Sequence, residues 1–280
     1  MSGRLSRARQ MPKRVLEKLR RFPWTYKQEL TRVPRAPGAP VSDLFFWRSS
    51  SEWKTLFELT DMRRLFAEER ALDGITADVE IILFDRYGRR LTNQKVKAPY
   101  LGRNIVDISA LVPESGGAYG TFCVFHQETP PVVAQLGSHL AERGYASFVY
   151  RDSPVRGYVH GNLDAIAKRN HKCDTELLGG AGPLIREYRL QHQICPPGYY
   201  EVGIVNPNIK PQKVECRVLQ ISDGEKVLSE AKVIPAGGVH VFKLVPATDQ
   251  SHRIVIRSHL VMARPLIFHI TDCSMDVLHG

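Results

Sequence analysis

Residues 126 to 164 concentrate side chains able to do chemistry: His126, Glu128, His139, Tyr150, Arg151, Asp152, Tyr158, His160 and Asn162. Imidazole and carboxylate groups are the ligands zinc takes, which makes His126, Glu128, His139 and His160 the metal candidates. The spacings of 13 and 21 positions from one of these histidines to the next match no compact metal motif. Ser138 beside His139 is the residue pair of acyl transfer, yet no G-x-S-x-G elbow surrounds the serine, and triad groups meet in space rather than in sequence. Tyr150, Arg151, Tyr158 and Asn162, with Trp47 and Trp53 upstream, offer aromatic faces and directed hydrogen bonds, which suit a carbohydrate ring. "LLGGAGP" at 177 to 183 has glycines but no G-K-S/T, so it reads as an interdomain loop rather than a phosphate cradle. No catalytic residue, metal or cofactor is assigned.

The elements that would position these groups emerge from turn chemistry. "DVEIILFDRYGRRL" at 78 to 91 is an apolar strand, an Asp-containing turn closed by Gly88, and a polar return, the signature of a hairpin. "KVECRVLQISDGEKVL" at 213 to 228 repeats it around Asp223-Gly224. Each is followed by a further strand ("NIVDISALVP", "VHVFKLVP") and then by one ending in histidine ("YGTFCVFH", "HRIVIRSH"). Finally "FVYRDSPVRGYVHG" at 148 to 161 lines up with "LIFHITDCSMDVLHG" at 266 to 280, each closing on apolar-His-Gly. The chain reads as one all-β unit used twice. The first copy carries an insertion, "QETPPVVAQLGSHLAERG".

Short alternating strands between Gly, Pro, Asn and Asp turns predict an all-β protein of two tandem antiparallel β-sandwiches, preceded by a basic amphipathic N-terminal helix. The expected division is a basic arm and Pro-rich spacer over 1–40, a first sandwich over 41–168 with its insertion at about 127–144, a linker over 169–186 and a second sandwich over 187–280. In the second copy, "YYEVGIVNPNIKPQKVECRVLQISDGEKVLSEAKVIPAGGVHVFKL" runs strand, Asn-Pro, strand, Asp-Gly, strand, Pro-x-Gly-Gly, strand. In this it resembles bacterial immunoglobulin-like modules over residues 198 to 280, a resemblance that implies a fold and no activity.

The recurrence bears on the polar stretch at 150 to 167. A pattern that returns at the end of the chain with different polar residues favours a strand pair over a catalytic loop. Asp152, Ser153 and Pro154 are then a turn whose Asp side chain bonds backbone amides, and Asn162 and Asp164 cap a short helix, "LDAIAKR". What the second copy lacks is the insertion, and loops on a rigid scaffold are where binding is usually placed.

Charge is confined to one end. The net charge is +10, and residues 1 to 37 hold eleven basic residues against Glu17 and Glu29, which leaves +1 for the rest. A near-neutral body argues against nucleic acid as a partner. In "MPKRVLEKLRRFPW", Met11, Val15, Leu16, Leu19 and Phe22 recur at helical spacing, with Lys13, Arg14, Lys18, Arg20 and Arg21 mostly between them. Such a helix suits an anionic membrane surface or a protein partner. There is no apolar h-region of secretory length and no spanning run of about 18 apolar residues. Five cysteines without a C-x-x-C pair argue for a reducing cytoplasm, each being a small buried hydrophobe in a strand.

These readings converge on a bacterial cytoplasmic protein, peripheral at the inner face of the membrane, that binds or scaffolds without catalysis and has a glycan as its ligand class. The alternative is a sugar-modifying or metal-dependent enzyme with its site at the loop end of the first domain. The two are separated by whether His126, His139 and His160 converge on one pocket.

Overall fold

A computed structural model describes residues 40–59, 77–98, 104–126, 141–142, 144–161, 166–169, 174–246, 250–261 and 264–280. Apart from the four-residue helix α1 (Ile108–Leu111) and one 3-10 turn, its regular structure is all β. The strands of the first half are β1 (Val41–Asp43), β2 (Phe45–Arg48), β3 (Trp53–Glu58), β4 (Ala77–Asp85), β5 (Arg90–Ala98), β6 (Ile105–Asp107), β7 (Tyr119–His126), β8 (Ala141–Glu142), β9 (Tyr145–Tyr150), β10 (Gly157–His160), β11 (Ile166–Arg169) and β12 (Thr175–Leu177). Those of the second are β13 (Ala181–Ile194), β14 (Tyr199–Val205), β15 (Gln212–Gln220), β16 (Lys226–Ile234), β17 (Val239–Leu244), β18 (His252–Leu260), β19 (Leu266–Ile270) and β20 (Met275–His279).

These strands form five four-stranded sheets, in the orders β2-β7-β4-β5, β10-β9-β3-β6, β13-β18-β15-β16, β17-β14-β19-β20 and β12-β11-β1-β8. Five small sheets, the blade number of a five-bladed β-propeller, thus stand where two tandem immunoglobulin-like sandwiches were expected. Two physical causes account for the difference. First, short pieces expected as the start of the first sandwich, the insertion, the helix and the linker pair with one another: β1 runs antiparallel to β11 and parallel to β8, and β11 pairs with β12. The expected helix at "LDAIAKR" is therefore in part strand β11, and the expected linker contributes β12 and the start of β13. Second, the largest hydrophobic cluster belongs to neither half. It joins Phe46, Trp47, Trp53, Phe57 and Phe148 to Leu266, Phe268, Ile270 and Val277.

Sheet order nonetheless repeats. With β2, β7, β4 and β5 matched to β13, β18, β15 and β16, and β10, β9, β3 and β6 to β20, β19, β14 and β17, the second pair of sheets has the same neighbours as the first. The two hairpin turns repeat as well. Asp85 Oδ1 accepts the amides of Tyr87 and Arg89, with Gly88 at φ +76°, and Asp223 Oδ1 accepts that of Glu225, with Gly224 at φ +74°. The apolar run of β4 is continuous because both its faces are covered: Val79, Ile81 and Leu83 enter the large cluster, while Ile82 packs with Cys123, Phe125 and Leu44. A further cluster fills the space between the two second-half sheets, with Leu190, Tyr200, Val202, Cys216, Phe242 and Ile256 among its members.

Polar contacts also hold the halves together. Thr121 donates to the Gly237 carbonyl at 2.9 Å, and the Val239 amide donates to the Arg86 carbonyl at 3.0 Å. Arg48 and Glu201, both buried, pair at 2.5 Å, and the guanidinium carbon lies 3.7 Å from the Trp53 ring centre. Residues 1–39, and with them the expected helix and Lys13, Arg14, Lys18, Arg20 and Arg21, lie outside the described residues. Among the described residues, no helix is long and apolar enough to cross a membrane. The four described cysteines are free. Cys123 and Cys216 are buried as expected, whereas Cys195 and Cys273 are exposed because they sit in turns rather than strands.

Candidate functional site

The polar stretch after β9 is a tight turn. Arg151 and Asp152 both take left-handed backbone angles, φ +49° and +55°, and the Ser153 amide returns to the Tyr150 carbonyl at 3.0 Å. It is the Ser153 hydroxyl that accepts an amide, that of Val155, where the sequence suggested the Asp152 carboxylate. Tyr150 is buried with its ring centre 4.8 Å from that of Trp53, and Trp47 is wholly buried, its indole N–H donating to the carbonyls of Phe84 and Thr121. The aromatic groove expected from these residues is core. Tyr158, 44% exposed, alternates outward between the buried Gly157 and Val159.

The chain brings Tyr150, Arg151 and Asp152 together at one end of the β9–β10 pair, and His160 lies at the other, opposite Tyr145. His160 meets His279, ring centres 4.7 Å apart, while His126 ends β7 in a different sheet, opposite Val79. Glu128, His139 and Asn162 lie outside the described residues, as does all of the insertion except β8 and Gly144. Among the described residues, no group of three or more His, Cys, Asp and Glu side chains could hold a metal ion.

What the turn does form is one wall of a polar cleft of 330 Å³. Its other walls are the β2–β3 turn, with Ser49, Ser50, Ser51, Glu52, Trp53 and Lys54, and the start of α1, with Asp107, Ser109 and Ala110. Hydrogen bonds fix each wall. Ser50 and Trp53 exchange backbone bonds of 3.0 and 3.3 Å, and the Arg151 amide donates to the Glu52 carbonyl at 2.9 Å while its Nε pairs with the Glu52 carboxylate at 2.7 Å. Beneath them, the buried Thr55 hydroxyl donates to the Arg48 carbonyl and accepts the Arg48 amide, and the Thr55 amide donates to Ser109 Oγ at 2.8 Å. Asp107 accepts the Ala110 amide as the cap of α1 and pairs with Lys54 at 2.9 Å. "NIVDISALVP", expected as a strand, is thus a three-residue strand followed by a capped helical turn.

The charges of this region leave an acidic excess, three carboxylates against two cations. Glu52, Asp107 and Asp152 face Lys54 and Arg151. Burial pulls Arg48 below the ordinary arginine value, and the adjacent Glu201 carboxylate opposes that shift. Burial, with Tyr150 and Glu201 beside it, pushes the Tyr199 phenol up to about 12. Sequence reasoning passed over "SSSEWK" because a serine run between two strands reads as an ordinary turn; its one signal was three hydroxyls beside a Trp and two opposite charges.

No protein-family model matches the chain, and no curated protein does. Among solved structures it is similar to a chain from the structure of infectious bursal disease virus Gx strain, at 12% identity over 89% of this chain and 67% of that one. The TM-score is 0.17, too low for the likeness to carry any argument.

Proposed function

We propose that this chain is a non-catalytic binding protein that takes a saccharide in the cleft between the β2–β3 turn, the β9–β10 turn and the start of α1. The observation that carries the reading is the cleft's composition: short hydroxyls, carboxylates and an ammonium group, on turns that hydrogen bonds already hold. Sugar hydroxyls both donate and accept, so a site that offers Asp107 and Asp152 as acceptors and Lys54 with the serines as donors matches them. Preformed walls spare the ordering cost of binding. The basic segment over 1–37 supplies attachment to an anionic membrane surface or a protein partner.

Calorimetric titration of the full chain with a panel of oligosaccharides tests the cleft. Binding to at least one is expected, weakened about tenfold by Lys54→Ala, which is about 1.4 kcal/mol of lost contact, and unchanged by Tyr158→Ala outside the cleft. Binding that survives Lys54→Ala and Asp152→Asn together would remove the cleft from the account. For the attachment, a chain beginning at residue 38 should no longer sediment with anionic vesicles; undiminished sedimentation would overturn that role.

A further inference from the structure

The two apolar-His-Gly endings that echo one another in sequence meet in space. β10 and β20 are edge strands of different sheets and pack on each other, so closely that a Cβ on Gly157 would lie 2.4 Å from Val277 Cγ1. At the end of this seam the His160 and His279 rings lie 4.7 Å apart, tilted by 37°. His279 Nε2 is 2.9 Å from the His160 carbonyl and His160 Nδ1 is 2.8 Å from the Gly161 carbonyl. A carbonyl only accepts, so each ring's single proton is fixed on the nitrogen named. His279 Nδ1 is then bare, and it is buried without a hydrogen-bond partner. Behind the pair lies an apolar cavity walled by Leu44, Phe46, Val159, Val205 and Leu266.

We propose that His160 and His279 form an acid-sensitive latch between the two halves of the chain, closed while both imidazoles are neutral and loosened when they take up protons. A proton arriving at His279 must sit on Nδ1, where no acceptor stands, and beside the His160 ring. The groups around the pair set the sign. On the β9 side His160 faces Tyr145; on β19 the register partner of His279 is Leu266; ahead of β19 stands Arg264; and on β1 the Asp43 carboxylate lies against Gly161. Burial first, then the charges of His160 and Arg264, hold His279 below the ordinary histidine value, and only its bond to the His160 carbonyl favours the charged form. The opened or unfolded seam therefore binds more protons than the closed one. Seam stability is complete above about pH 6.5 and falls as the pH drops below it. His160 is exposed, so protons reach the pair from solvent.

Backbone amide exchange in the full chain tests the latch, read at 157–160 and 275–279 against β15 as the internal reference, at about pH 7.5 and about pH 5 and corrected for intrinsic exchange. Seam protection is expected to be lost in part at about pH 5 relative to about pH 7.5, while β15 keeps its own. His279→Gln retains a donor to the His160 carbonyl and should abolish the difference; His160→Asn retains a donor to the Gly161 carbonyl and should reduce it. Equal protection at both pH values, or a drop that persists in both variants, would overturn the latch. Should a variant fail to fold, imidazole titration of the wild type by NMR decides: two coupled steps support the latch, and two independent titrations at the ordinary histidine value refute it.

Discussion

Replacing Arg48 by Met takes the cation from Glu201 at the junction of the halves and leaves a carboxylate whose side chain is 12% exposed. Breaking one side of a buried pair costs about 3–5 kcal/mol, because the remaining charge has neither water nor partner. The guanidinium also sits 3.7 Å from the centre of Trp53 and 5.1 Å from that of Phe268, contacts worth about 0.5–2 kcal/mol together at a desolvated site. Methionine fills most of the vacated aliphatic volume, so little cavity cost adds to these. The expected loss is about 4–6 kcal/mol, against a typical total of about 5–15. Glu201→Gln keeps the shape and leaves Arg48 on its two rings, so it should cost only about 1–3 kcal/mol. The double variant Arg48→Met with Glu201→Leu removes both charges and should return to within about 2 kcal/mol of wild type. Urea unfolding followed by tryptophan fluorescence reads all four proteins. A loss below about 1 kcal/mol for Arg48→Met, or a double variant whose loss equals the sum of the two single losses, would refute the reasoning.

Phe268→Ala, which removes a ring lying 5.0 to 5.7 Å from Phe148, Trp53 and Phe46, should cost about 3–5 kcal/mol in the same assay. Gly120→Ala would put a Cβ 2.1 Å from the Phe84 carbonyl oxygen and 2.8 Å from the Trp47 ring; a loss of about 1–3 kcal/mol is expected, and a neutral result would show that β7 can shift. Thiol labelling of the native chain with mass-spectrometric readout should mark Cys195 and Cys273 and spare Cys123 and Cys216, since burial pushes the Cys216 thiol up to about 12 and that of Cys123 higher still. Arg217, with help from Ser229 and Arg257, lowers the Glu215 carboxyl to about 2; its contribution is present above about pH 4.5 and is lost as the pH falls toward 2. Glu215→Gln should therefore flatten the acid limb of the stability curve over that range.

Repetition was legible in the sequence because each copy spends the same turn residues in the same order, and turn residues answer to local backbone geometry. Asp85 with Gly88 and Asp223 with Gly224 fix their hairpins without reference to anything distant. The fifth sheet was not legible. Val41–Asp43 and Thr175–Leu177 are too short to show a period, and Ile166–Arg169 carries a helical signal that pairing with β1 and β12 overrides. The fusion of the cores escaped notice for a related reason. Phe46 and Phe268 are ordinary strand residues until their sheets meet. At the cleft, Asp152 was picked out correctly as part of a turn, but the acidic partner of its neighbour Arg151, Glu52, and the floor residue Thr55 sit about a hundred residues earlier, a separation no local pattern spans.

A sheet order used twice, with matching edge strands in contact, has the form of a two-subunit assembly written into a single chain. In a twofold dimer a patch binds its own copy, so equivalent residues sit face to face across the axis, as His160 and His279 do. Joining the subunits makes their encounter intramolecular, so assembly no longer depends on protein concentration. It also frees the two halves to differ, and 18 residues separate β7 from β9 where 5 separate β18 from β19. Either half expressed alone would expose the rings that now meet around Phe268 and would be expected to seek a second copy of itself.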